Sequence, residues 1–276
     1  NGRSTAEIGS KWVELITAAV DSAVADPAGP CFADFNSFLI IHAGVGHETG
    51  ELNDIRSVYL DSTDMQDFLT APMFAGDGAC GREIRDAWIL PESLSQNGRA
   101  GMNGLFAKFF GHQLGLIGLS NFADGLPALG AWSLMDVGAN VRGFVLQDSL
   151  LFTLGFVPPH PMAWSKARLE WIQPLVVERD TTIRLSATDR DSELPKAIRI
   201  PITDSEYFLL ENRVQRANRG TPSGVSSPLD DDETVWIDAG TVEFSRDDGA
   251  GVWRAVDEYD AFVPGSGVLI WHVDDQ

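Results

Sequence analysis

The chain has 276 residues, 44% of them hydrophobic, which suits one large domain or two modest ones and excludes global disorder. Forty acidic residues stand against 20 basic ones, a net charge of −20 that repels phosphate and argues against binding nucleic acid or docking on anionic membranes. No apolar run reaches the length of a membrane span, so no membrane insertion by this segment is expected, and no signal peptide is visible.

Residues 5–24 place Ile8, Trp12, Leu15, Ile16 and Ala19 at helical spacing, and "ADPAGP" ends that helix with two prolines and a glycine. "FNSFLIIHAG" predicts a buried strand over 36–42 that feeds the loop "HAGVGHETGE". Between residues 50 and 95, loops are expected, with strands near 56–60 and 86–90. Residues 99–118 form the next helix. Leu105, Phe109, His112 and Leu116 lie on one stripe, and Phe106, Phe110 and Leu114 on its neighbour. With both stripes apolar, this helix is expected to be central and buried.

Helices are expected over 144–154 and 161–171, split by "GFVPPHP". After Pro174 the texture changes. "LVVERDTTIRLSAT", "KAIRIPI", "EYFLLENR", "ETVWIDAGTVEF" and "GVLIWHV" are short β-type runs, and "ANRGTPSGVSSPLDDDE" reads as a long surface loop. The expected organisation is an α/β front portion, 1–173, and a β-rich back portion, 174–276, integral to the same domain. Both ends look cut. The chain opens at Asn1 directly in a helical pattern and stops at Gln276 straight after a strand-like run, as a piece of a longer polypeptide would.

Cys31 and Cys80 leave two readings open. They pair, closing a loop whose entropy would stabilise the fold by roughly 4 kcal/mol, or they stay as two thiols. Neither has a partner at C-x-x-C spacing, so a thiolate zinc site is not supported.

The stretch "GLFAKFFGHQLGLIGL", residues 104–119, has the rhythm of a zinc-protease helix. In H-E-x-x-H, two histidines four apart share a helix face and grip one zinc ion, while the glutamate activates the metal-bound water. A glycine three residues on turns the chain toward a third ligand, and a Met-containing turn packs beneath the metal. Here His112 stands at the second histidine, Gly115 three residues later, and "WSLMDVG" offers Met135 for the turn.

These motifs resemble the immune inhibitor A-type metallopeptidases, a secreted bacterial zincin family. "GLFAKFFGHQLGL" is similar to the family's apolar helix carrying H-E-F-G-H-x-L-G-L, and "GAWSLMDVG" to its W-[SD]-L-M-x-x-G turn. "FLIIHAGVGHETG", "PMAWSKARLEWIQP", "EYFLLENR" and "VPGSGVLIWHVDD" resemble further family segments in the same order, from about residue 35 to the end. The resemblance implies a zincin-like α/β fold with a β-rich C-terminal part, in which a mixed sheet containing 36–42 packs against the 99–118 helix.

The departures fall on the chemistry. The family's first histidine aligns with Lys108, its general-base glutamate with Phe109, and its third ligand, an aspartate, with Gly118. One imidazole does not hold catalytic zinc, and Phe109 takes no proton from water. Lys108 either fills the metal's place with its ammonium or runs along the empty cleft to solvent. No catalytic residue is therefore expected, and Lys108, Phe109, His112, Gly118 and Met135 form a vestigial site. The competing expectation, an active zinc peptidase with non-standard ligands, needs a new base and two new ligands.

Other candidates are weaker. His42, His47 and Glu48 cluster in "HAGVGHE" without helix-face spacing; His160 sits between prolines, and His272 falls in a strand motif. Calcium is the candidate cation, at Asp189, Asp191 and Glu193 in "DRDSE" or at Asp230, Asp231, Asp232 and Glu233 in "DDDE", set against plain solvated acidic loops. There is no G-x-S-x-G, Walker lysine or dinucleotide fingerprint. The expectation is a non-catalytic pseudopeptidase domain, extracellular or on the cell surface. It would have no zinc cofactor and would work with protein partners in a larger assembly, including peptides added along a sheet edge.

Overall fold

The computed structural model describes residues 5–49, 54–93, 102–121, 126–146, 149–226, 229–230, 233–238, 242–245, 252–256 and 259–275. They build a mixed α/β protein of several small sheets and few helices. The chain divides into two compact units, Asn1–Gly98 and Arg99–Gln276. The sequence texture changes at 173/174, but the division falls earlier. The segment 99–173 groups with the β-rich back, while strand 39–45 and the helix over 103–113 fall in different units.

In the first unit, helix α1 (Thr5–Ala25) buries Val13, Ile16 and Val20, with Trp12 and Leu15 at the margin. Ile8, expected on the inner stripe, is exposed. The helix stops where Pro27 has no N–H to continue it, and the Asp26 carboxylate accepts the Ala28 N–H at 2.9 Å. Strand β1 (Leu39–Val45) follows, then β2 (Val58–Leu60), helix α2 (Ser62–Phe68), β3 (Met73–Ala75), β4 (Arg82–Ile84) and β5 (Ala87–Ser93). The three-stranded sheet runs β1-β5-β2, with β1 parallel and β2 antiparallel to β5. The sheet is mixed, and its first strand starts three residues later than expected; that strand, expected to be buried, is half-buried to exposed, with Ile41 59% exposed.

Cys31 and Cys80 form a disulfide across 49 residues, which decides between the two readings left open above. It ties the segment after α1 to the β3–β4 hairpin.

In the second unit, helix α3 (Asn103–Gln113) is shorter than the 99–118 predicted, and 99–101 lie outside the described residues. Only one of its stripes is buried. Leu105, Phe109 and Leu116 are inside, whereas Phe106, Phe110 and Leu114 are exposed, so the helix is half-buried rather than central.

The helix expected over 144–154 is instead a hairpin, β6 (Arg142–Leu146) and β7 (Leu150–Leu154), with Phe144 opposite Phe152. A short apolar run carries no decisive period. Here it is fixed by tertiary pairing with β12 (Val235–Asp238), parallel to β6. Helix α4 (Ala163–Arg168) replaces the longer 161–171. Of the run from 175 to 188, only β8 (Leu175–Val176) is strand.

Strands β9 (Ala197–Pro201), β10 (Glu206–Arg213) and β15 (Gly267–Asp274) complete a sheet ordered β15-β10-β9-β8. The predicted 217–233 loop contains a two-residue strand, β11 (Asn218–Arg219), on β12. Strands β13 (Val242–Ser245) and β14 (Val252–Val256) form a separate hairpin. Among the described residues no helix is long and apolar enough to cross a membrane.

Candidate functional site

Lys108 and His112 stand one turn apart on the same face of α3. The helix ends in a paired reversal. Gly115, at φ 95°, donates to the His112 carbonyl, and Leu116 donates to the Gly111 carbonyl, both at 2.9 Å. This is the glycine-terminated stop that the spacing H-x-x-G predicts. The chain then runs back through Gly118, and the Leu119 N–H reaches the Met135 carbonyl at 3.0 Å.

The Met-containing turn lies against the helix. Met135 is fully buried, and a Cβ added to Gly111 would lie 2.9 Å from its sulfur. A side chain at 111 would push the thioether aside. Gly104, one helical stretch earlier, is packed harder still: its Cβ would lie 1.9 Å from the Ala139 carbonyl oxygen.

Asp136 organises this turn from inside. Its buried carboxylate accepts three donors: Ser120 Oγ at 2.7 Å, Leu129 N–H at 2.8 Å and Gly130 N–H at 2.7 Å. Its backbone carbonyl accepts Lys108 Nζ at 2.9 Å. The ammonium thus turns inward to the turn instead of extending to solvent. Burial lowers the Lys108 pKa, and the Asp136 charge partly offsets that.

His112 Nδ1 lies 3.0 Å from the Leu116 carbonyl oxygen. A carbonyl only accepts, so Nδ1 is the donor in this bond. Metal-binding histidines are commonly held by such a bond. Phe109 belongs to the apolar interior, and Gly118 is half-buried on the return segment. Of the five positions singled out in the sequence, Lys108 bonds the turn beside Met135, His112 bonds the chain after the helix, and Phe109 and Met135 are buried. Gly118 lies on the return segment.

The remaining candidates are dispersed. His42 Nδ1 bonds the Ala43 carbonyl, Glu48 accepts the Ser57 N–H at 2.7 Å, and the His47 N–H bonds the Ile55 carbonyl. His272 pairs with Glu206 at 2.8 Å on exposed strands. Of the calcium candidates, Asp189 is engaged by Arg216 in an ion pair, Asp191 and Glu193 are exposed, and the Asp230 carbonyl accepts from Glu233 and Thr234. Asp231 and Asp232 lie outside the described residues. Among the described residues no three His, Cys, Asp or Glu side chains group as metal ligands.

A second assembly, unpredicted, lies beneath the β10 sheet. Glu211 and Arg213 are fully buried on β10, on the same face as Tyr207 and Leu209. Arg213 makes a two-pronged pair with buried Asp260 and also donates to the Trp132 and His160 carbonyls. Glu211 accepts Trp271 Nε1 at 2.9 Å and the Ala163 N–H at 3.2 Å.

Burial acts against charge on Arg213 and Asp260, but their mutual bonds outweigh it: the arginine pKa rises and the aspartate pKa falls. His160 is pushed down to about 4 by burial, with the Lys166 charge adding to the effect, and Lys166 to about 8, again chiefly by burial. The readable sign was the alternation Tyr207-Leu209-Glu211-Arg213, which puts two charges on a core-facing period.

Comparison with protein-family models, curated proteins and solved structures finds no match.

Proposed function

We propose that this chain is a zincin-like pseudopeptidase domain of a secreted or cell-surface protein, with a structural or protein-binding role in a larger assembly. The observation that carries this reading is the fate of the two altered catalytic positions. Lys108, in the place of a metal ligand, donates to the Asp136 carbonyl, and Phe109, in the place of the base, is buried with the core. Neither can hold zinc or activate water.

The supporting parts of such a site persist around them. His112 is oriented through Nδ1, Gly115 reverses the chain, and Met135 underlies the helix. The Cys31–Cys80 disulfide suits an oxidising compartment, and the −20 charge a soluble extracellular setting.

The test is reversal. The variant K108H/G118D supplies, with His112, the three ligands that the resemblance implies. Titrated with zinc in a calorimeter, it is expected to bind one equivalent, while the wild type takes up none. A folded variant that binds no zinc would mean that this helix and turn are not a zincin site.

A further inference from the structure

We infer that Arg213 is the positioning residue that fixes the 132–136 turn from the side of the β10 sheet, so that a buried guanidinium and a half-buried ammonium grip the turn at its two ends. Arg213 holds the Trp132 carbonyl at 3.2 Å, and Lys108 holds the Asp136 carbonyl at 2.9 Å. The inference stands on this geometry alone and does not depend on the reading above.

A guanidinium has five N–H donors in a rigid plane. Here each has a direction. Nε and one Nη2 hydrogen go to the two Asp260 oxygens, and the second Nη2 hydrogen to the His160 carbonyl at 3.3 Å. One Nη1 hydrogen goes to Trp132, and the other side of Nη1 faces a Glu211 oxygen at 3.6 Å. Three loop positions far apart in sequence, 132, 160 and 260, are thereby set relative to one strand. The residue is fully buried, so water does not compete for these bonds.

What the turn does follows from where it is held. With Trp132 and Asp136 fixed, the Asp136 carboxylate collects Ser120, Leu129 and Gly130, and the Met135 carbonyl takes Leu119. The surface under α3 is then rigid without a metal ion. Lysine at 213 keeps a charge for Asp260 but lacks the planar fork that reaches two carbonyls at once.

Native-state hydrogen exchange tests this. The reporters are the Leu119, Leu129 and Gly130 amides, with the β10 and β15 ladder amides as the measure of sheet opening. In R213K the three reporters are expected to exchange about tenfold faster relative to the ladder, the scale of one lost bond to a charged donor. R213Q, a planar donor without charge, serves if R213K does not fold. K108M, at the other end of the turn, is expected to accelerate the same three amides. Equal acceleration of reporters and ladder, or reporters that respond to neither end, would overturn the inference.

Discussion

Lys108 Nζ lies 2.9 Å from the backbone carbonyl oxygen of Asp136, whose carboxylate binds three other donors. One ammonium therefore joins α3 to the turn beneath it. Removing it strands a part-buried carbonyl, at a cost of about 2 kcal/mol. K108M is expected to lower the melting temperature of the second unit by about 4–8 °C in calorimetry. An unchanged value would mean that the ammonium contributes nothing there.

His160 gives the protein an acid-side dependence. Its folded pKa, about 4, lies below the ordinary 6.5 because burial penalises the imidazolium. Between those values the unfolded chain binds a proton that the folded chain does not, so stability falls as pH drops from 6.5 toward 4. The loss approaches ~3 kcal/mol. H160Q keeps the backbone bonds to Asp260 and Arg213 and is expected to flatten this part of the profile in denaturant titrations. A wild-type curve that is flat over the same range would remove His160 from the account.

Asp260 acts at lower pH. Its bonds to Arg213 hold its pKa below the usual carboxylate range, so its stabilising share is present above about pH 4 and is lost as pH falls through the folded value. Its signature is a second loss of stability, below that of His160, which persists in H160Q. D260N is expected to abolish this second step and to destabilise by about 3–5 kcal/mol at neutral pH, since it leaves a buried guanidinium uncompensated.

The disulfide concerns the first unit. C31S/C80S is expected to cost roughly 4 kcal/mol of loop-closure entropy, read as faster exchange of β1 and β5 amides. Unchanged protection of those amides would show that the link constrains little beyond its own neighbourhood.

The order of local motifs was legible, and long-range pairing was not. The helix stop at Gly115 and the buried Met135 follow from short-range spacing, so they could be read directly. The β6–β7 hairpin could not, because an apolar run over 144–154 fits both periods until β12 pairs with it. The inner and outer stripes of α3 were both apolar, and only packing distinguishes Phe109 from Phe110. Asp136 carries no signal of its own in the sequence. Its role depends on donors at 108, 120, 129 and 130, which no local pattern announces. Arg213 and Asp260 are 47 residues apart, and no spacing links them.

The proposed reading is that Lys108 and Phe109 stand where a zincin would carry a zinc ligand and its general base, so that the protein holds no catalytic zinc. Its most direct test is the metal content of the purified protein by elemental mass spectrometry, after equilibration with zinc and calcium. The account predicts far less than one zinc per chain, with any bound metal being calcium. One zinc per chain, with peptide cleavage that a chelator abolishes and zinc restores, would contradict it.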